Sequence, residues 1–390
     1  MSSNTTGYKI NETDLSFKIM KYFFLFFNCV LSDRINVEVR DDASFTIRGD
    51  NSFELVSGDY FQVLLGRKFS VADNTLQISK PVKSDGTNQH GLYREYTFKT
   101  FVSGSTTEID MSSKSLSIRV YEGFVVFRQS FEYEYNWDNK DQLSILATGF
   151  PSIKIPSNSS NAYFLNPCGD MAGSGAHKGD WSATGMKDYC AGEEGGILFI
   201  YDQSNQTYNG QVFSISAFRH FTAVYSDVVD QELVFGLPLS VVSTPAGYYI
   251  ETFISYSNKG FYEGVQKWGS ELLSEHGKNT MKRATDITVN YLGYWTDRGA
   301  YYYYYTEPNK TYEETMIDIY ENIENPYRSW NYDSWFYHKC EWPGQKSHEW
   351  PAKNWTAIES IFPNGMNKVY QETSIPVIAH NRFYQLFLQF

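Results

Sequence analysis

The sequence predicts a multidomain protein: a large N-terminal antiparallel β-sandwich followed by the opening strands of an incomplete (β/α)8 barrel. Three observations predict it. Short apolar–polar alternations, punctuated by turn-rich stretches, fill residues 34–258. One helical apolar stripe follows within 259–285. From residue 286 to 390, strand-like and helix-like segments alternate, which is the pattern of β/α units.

The first 33 residues stand apart. Residues 1–19 are polar and rich in Ser, Thr and Asn, and Met20–Ser32 has the basic start, apolar run and small terminal residue of a secretory signal peptide. An apolar run of about 10 residues is too short to span a bilayer. Met20 is therefore an alternative start, and a buried strand over Phe23–Leu31 is the competing reading. Sequons at Asn158, Asn205, Asn309 and Asn354, with Asn4 and Asn11 upstream of Met20, fit a secreted, extracellular or lysosome-like glycoprotein. Cys29 would leave with the signal peptide. Cys168 and Cys190 bracket a Gly-rich loop, and a disulfide there would be worth about 3 kcal/mol in loop entropy. Zinc ligation with His177 is the rival, but no C-x-x-C pair accompanies it. Cys340 is left over.

Within the first domain, Ser44–Arg48, Leu116–Tyr121 and Gln211–Ser216 alternate as half-buried strands do. Tyr93–Phe98, Phe124–Gln129 and Ile197–Tyr201 are denser and read as strands covered on both faces. Many short strands at this spacing predict two packed sheets. Phe261, Val265, Trp268 and Leu272 then share one face of a helix ended by Gly277. That stripe is expected to dock sandwich to barrel, with Lys278–Asp286 as the linker proper. Beyond it, Asp286–Trp295, Tyr327–Trp335 and Pro376–His380 read as strands, and Thr311–Ile323 and Phe362–Thr373 as helices. A complete barrel takes roughly 250 residues and only about 100 follow Asp286. The chain is expected to be a piece of a longer protein or one cut short.

Composition narrows the chemistry. The net charge is −12, which disfavours a nucleic-acid partner. Aromatic residues make up 17% of the chain, including 31 Tyr and 28 Phe. Their flat faces and polar handles suit stacking on sugar rings, although strand formation alone would also use them. No P-loop, Rossmann glycine fingerprint, H-E-x-x-H helix or G-x-S-x-G elbow occurs. No metal and no cofactor is expected.

Candidate site residues cluster where the three barrel strands end, the rim on which such barrels carry their chemistry. Tyr294, Trp295 and Asp297 end or follow the first strand. The tyrosine run that follows, Tyr301–Tyr305, reads equally as a stacking wall or as lid packing. Asp333 and Trp335 end the second strand, where a carboxylate among aromatics can accept hydrogen bonds from neighbouring sugar hydroxyls. His380 and Arg382 end the third, with a structural His as the plainer alternative.

Gly293-Tyr-Trp-Thr and Tyr332-Asp-Ser-Trp, placed after a β-rich domain and a helix, resemble the α-galactosidase and raffinose-synthase glycoside hydrolases; Gly236-Leu-Pro-Leu and Thr244-Pro-Ala-Gly are similar in style. The resemblance implies a protein that acts on or binds α-linked sugars. It implies that Asp333 binds sugar hydroxyls and that the two catalytic carboxylates come from strands near the fourth and sixth, for which this chain shows no counterpart. Asp297 and Asp333 would be the substitute pair, but the resemblance gives Asp333 a binding role. A non-catalytic carbohydrate-binding protein and a cell-surface adhesion protein are the rival readings.

Overall fold

In the computed structural model, contacts divide the chain into two units, Met1–Gly277 and Lys278–Phe390, each considered by itself. The described residues are 34–49, 54–64, 66–103, 114–136, 146–158, 161–167, 176–190, 197–202, 210–241, 243–278, 284–297, 300–303, 305–323, 327–332, 337–339 and 352–379. The leader and candidate signal peptide fall outside them.

The first unit is mostly antiparallel β. Its largest sheet has ten strands: β1 (Leu76–Ile78), β2 (Val82–Asn88), β3 (Gly91–Val102), β4 (Lys114–Val120), β5 (Phe124–Phe131), β6 (Ala162–Pro167), β7 (Ala176–Asp180), β8 (Leu198–Asp202), β9 (Val212–Arg219) and β10 (Tyr248–Ser257). The order is β7-β6-β8-β9-β10-β5-β4-β3-β1, with β2 paired to β3.

Period-two alternation decides what each face of this sheet meets. On β5, Val125, Phe127 and Phe131 enter the main core, while Phe124 and Val126 enter a second cluster. Strand β10 splits likewise: Ile250, Ile254 and Tyr256 face the main core, Phe253 the other cluster. Central strands covered on both faces need continuous apolar runs, which is why Phe124-Val-Val-Phe127 is buried throughout. Three smaller antiparallel sheets share the main core. They contribute Phe45, Ile47 and Leu55 from 36–56, Val63 from 61–70, and Ile153, Leu233 and Phe235 from 152–236.

Helix α1 (Phe261–Glu275) covers the second cluster. The stripe expected to dock one domain onto the other instead packs on the large sheet of its own unit. Phe261 meets Phe199 at 4.6 Å and Tyr201 at 5.8 Å. Trp268 donates its indole N–H to Ser216 Oγ at 2.9 Å, and Leu272 packs with it against Phe218 and Phe253. Gly264 permits this approach, because a β-carbon there would lie 2.2 Å from Val212 Cγ1. The physical reason for the difference is that an uncovered hydrophobic sheet face takes the nearest amphipathic helix in the chain.

The second unit contains α2 (Ile287–Asn290), β11 (Gly293–Trp295), α3 (Tyr312–Asn322), β12 (Ser329–Tyr332), α4 (Met366–Thr373) and β13 (Val377–Ala379). Strands β11, β12 and β13 form a parallel sheet in that order. The Asp286–Trp295 strand is shorter than expected because Asp286 caps α2, accepting the Thr288 N–H at 2.8 Å. Helix α3 opens on a capping box: Thr311 Oγ1 accepts from the Glu314 N–H at 3.2 Å, and Glu314 accepts from the Thr311 N–H at 2.7 Å. Residues Tyr337–Lys339 and Ala352–Ala357 add an antiparallel hairpin that the sequence reading did not anticipate.

Candidate functional site

The parallel register sets the geometry of the candidate rim. Tyr294 lies beside Trp330, which lies beside Val377; Trp295 lies beside Asn331, which lies beside Ile378. Alternation sends the two rows to opposite faces. Tyr294, Trp330, Tyr332, Val377 and Ala379 pack with Tyr312 and Met316 of α3, Val369 of α4, and Phe362. Ring contacts knit this cluster: Tyr327 meets Trp330 at 4.4 Å, and Tyr332 meets Phe362 at 5.4 Å. Burial holds the Tyr294, Tyr327 and Tyr332 phenols above their usual range, so they stay neutral.

The opposite row is open. Trp295 is 57% exposed and Ile378 40% exposed. Parallel sheets are usually covered on both faces, so this row is unusual within its own unit. Asn331 organises it. With its amide oriented by its neighbours, the oxygen accepts from Trp295 Nε1 at 2.6 Å and the nitrogen donates to the Ile378 carbonyl at 3.1 Å. One side chain thus ties all three strands together and fixes the indole. Asn331 was missed in the sequence reading. Its signal is its place between Trp330 and Tyr332, which puts it on the face opposite theirs.

Past the strand end, the buried Thr296 continues the ladder, donating its N–H to the Asn331 carbonyl at 3.0 Å. Asp297 is the next residue and is partly buried. Its carbonyl accepts the Ala300 N–H at 2.9 Å, and the Ala300 carbonyl accepts the Tyr303 N–H at 3.1 Å. The Tyr302 hydroxyl donates to Glu307, and chiefly that bond, with burial second, pushes the phenol up to about 12. Tyr301 and Tyr305 project outward with ring centroids 5.4 Å apart and planes 27° apart.

The structure therefore brings Tyr294, Trp295 and Asp297 to one end of the sheet but on different faces: Tyr294 is core and Trp295 is open. Asp333 and Trp335 follow β12, and His380 and Arg382 follow β13; these four lie outside the described residues. Sequon residues Asn158, Asn309 and Asn354 are exposed, and Asn205 lies outside the described residues. Cys190 is disulfide-bonded; Cys168, its expected partner, lies outside them too. Among the described residues no group of three or more His, Cys, Asp or Glu side chains is placed to hold a metal ion. No described helix is long and apolar enough to cross a membrane.

The first unit holds a cavity of about 320 Å³ lined by Arg40, Asp59, Lys154 and Glu232. Glu232 is engaged in the fold, accepting from the Asp59 N–H at 2.7 Å and from Ser152 Oγ at 2.6 Å. Burial, which outweighs the hydrogen bonds it accepts, raises the Asp59 carboxyl above its usual range.

No family model matches the chain. No curated protein matches it in sequence. Among solved structures, the chain is similar to a family 36 α-galactosidase from Geobacillus stearothermophilus, at 10% identity and a TM-score of 0.47 over 82% of this chain and 44% of that one. It is also similar to an α-N-acetylgalactosaminidase from Bifidobacterium bifidum, at 11% identity and a TM-score of 0.46 over 91% and 59%. A family 97 glycoside hydrolase from Pseudoalteromonas sp. strain K8, solved with panose, gives 11% identity and a TM-score of 0.44 over 88% and 52%. The chain spans about half the length of these proteins.

Proposed function

We propose that this chain is part of a secreted or lysosome-like glycoside hydrolase for α-linked sugars, and that its own residues hold the sugar. The observation that carries this reading is the register of β11 and β12. It sets Trp295 beside Asn331, so β11 and β12 end side by side; in the sequence Asp297 comes two residues after β11 and Asp333 one residue after β12. The open row of Trp295, Asn331 and Ile378 is then the inner face of a (β/α)8 barrel that these strands begin, with α3 and α4 outside. Its helix-covered opposite face supports that assignment.

In this reading the Asp333 carboxylate accepts hydrogen bonds from adjacent sugar hydroxyls, and Trp295 and Trp335 present apolar faces to the ring's C–H bonds. Asp297, His380 and Arg382 supply further polar groups at the rim. Glycoside hydrolysis needs two carboxyl groups flanking the bond, and the family resemblance assigns both to strands later than the third. In this reading the residues of this chain serve to hold the sugar. A disulfide between Cys168 and Cys190, glycosylation at the sequons and a cleaved signal peptide complete the proposal.

The test is calorimetric titration of the chain with raffinose, methyl α-D-galactopyranoside and the β-linked lactose, alongside p-nitrophenyl α-D-galactopyranoside for turnover. Saturable binding of the α-linked sugars without p-nitrophenol release is expected. Absence of binding overturns the reading, and turnover overturns the placing of both carboxylates beyond the third strand.

A further inference from the structure

The run Tyr301–Tyr305 has divided roles that the functional reading above does not use. Tyr302 turns inward, packs against the unit's aromatic cluster and donates its hydroxyl to Glu307. Tyr301 and Tyr305 turn outward and are 69% and 63% exposed. Their rings are near-parallel, 27° apart with centroids 5.4 Å apart, and Tyr302 braces Tyr301 edge-on at 5.0 Å.

The segment that displays them is tied at both ends. At its start the Ala300 N–H reaches the Asp297 carbonyl at 2.9 Å and the Tyr303 N–H reaches the Ala300 carbonyl at 3.1 Å. At its end the Glu307 N–H donates to Thr315 Oγ1, on α3, at 3.1 Å, and the Lys310 N–H closes a turn onto the Glu307 carbonyl at 3.1 Å. The backbone on either side of the two rings is thus anchored, and the rings touch each other and Tyr302 while most of their surface stays in water. Exposed aromatic surface is unfavourable unless something covers it, and an anchored backbone removes part of the entropy cost of covering these rings.

We propose that Tyr301 and Tyr305 form a stacking platform for a pyranose ring of an α-linked oligosaccharide, one unit removed from the sugar held at the strand ends. This rests on the carbohydrate reading of the previous subsection. The chemistry selects a sugar. A phenol offers a flat apolar face to axial C–H bonds and, at its rim, a hydroxyl that donates and accepts. The chain's net charge of −12 disfavours polyanions that would also stack on aromatic rings. Tyr301 and Tyr305 thereby set preference for chain length, leaving recognition of the first sugar to Asp333 and Trp295.

The probes are raffinose, whose three units can reach a second position, and methyl α-D-galactopyranoside, which occupies one. In the full chain, Y301A/Y305A is expected to weaken raffinose binding about tenfold, the loss of ring contacts worth about 1.4 kcal/mol, and to leave the monosaccharide affinity unchanged. Both rings are exposed, so truncation opens no cavity, and Y301F/Y305F should keep at least half of the raffinose preference. Equal weakening of both probes, or no change for either, overturns the platform while the functional reading stands. If the native chain binds neither probe, the reading and the platform fall together.

Discussion

Replacing His90 with phenylalanine tests how the helix is held to the large sheet. His90 lies in the turn between β2 and β3, and its side chain is 1% exposed. The ring sits among Tyr121, Phe124 and Phe218, at 5.8, 5.4 and 5.7 Å. Nδ1 faces Glu271 Oε2 at 2.9 Å and Nε2 faces Glu275 Oε2 at 2.7 Å. Each ring nitrogen thus has a carboxylate oxygen as its partner. The chain of contacts continues: Arg219 pairs with Glu275 and approaches Glu251 at 3.8 Å, and Arg128 meets Glu251 at 2.7 Å. Phenylalanine fills the same aromatic cage but donates nothing. Leaving a buried polar group without its partner costs about 1–3 kcal/mol, and more when that group is charged. Here Glu275 keeps Arg219 and Gln89, and Glu271 is 21% exposed, so the expected cost is about 2–3 kcal/mol. Amide hydrogen exchange across Phe261–Glu275 should therefore accelerate about 30- to 150-fold. H90F/E271Q, which removes the carboxylate left behind, should recover about 1 kcal/mol. H90F exchange within twofold of the native rate, or a double variant that exchanges faster than H90F, refutes the argument.

Three further outcomes follow from the same physics. Burial raises the Glu275 carboxyl, but hydrogen bonds from His90 and Arg219 outweigh it and hold it below its usual value; its contribution is thus full above the unfolded value of about 4.3 and lost as pH falls through the folded one. E275Q should flatten the acid limb of the first unit's stability profile, measured by urea midpoints between pH 3 and 6. T311A removes one half of the α3 capping box and should cost the second unit about 1 kcal/mol, read as faster amide exchange in Tyr312–Asn322. G236A would place a β-carbon 1.7 Å from the Thr148 carbonyl oxygen, a backbone atom that has no free rotation to escape, so the variant should lose about 3 kcal/mol or more and accumulate as insoluble protein on expression.

Local patterning carried the strands and the main helix. Phe124–Gln129, Leu116–Tyr121 and Ile197–Tyr201 fall on β5, β4 and β8, whereas Tyr93–Phe98, expected to be covered on both faces, lies on β3 with Arg94 exposed and only Phe98 fully buried. The helix expected over Thr311–Ile323 is α3, Tyr312–Asn322, with Thr311 as its N-cap. The failures have a common cause, which is distance along the chain. Nothing local to His90 points to glutamates 181 and 185 residues away. Asn331 reveals its role only once β11 and β13 stand on either side of it. The stripe of α1 was read correctly as apolar but given the wrong partner, since periodicity shows that a face is buried and not what buries it. Phe362 was drawn into α4, which in fact starts at Met366 after a turn through Gly365 at φ 80°.

The central claim is that the ends of β11 and β12 hold an α-linked sugar through Asp333. Titration of the native chain and of D333N with methyl α-D-galactopyranoside tests it most directly. Loss of a carboxylate that accepts hydrogen bonds from two sugar hydroxyls should weaken binding tenfold or more, about 1.5–3 kcal/mol, while the melting of both units stays unchanged. Equal affinity in the two proteins, or no affinity in either, would contradict the account.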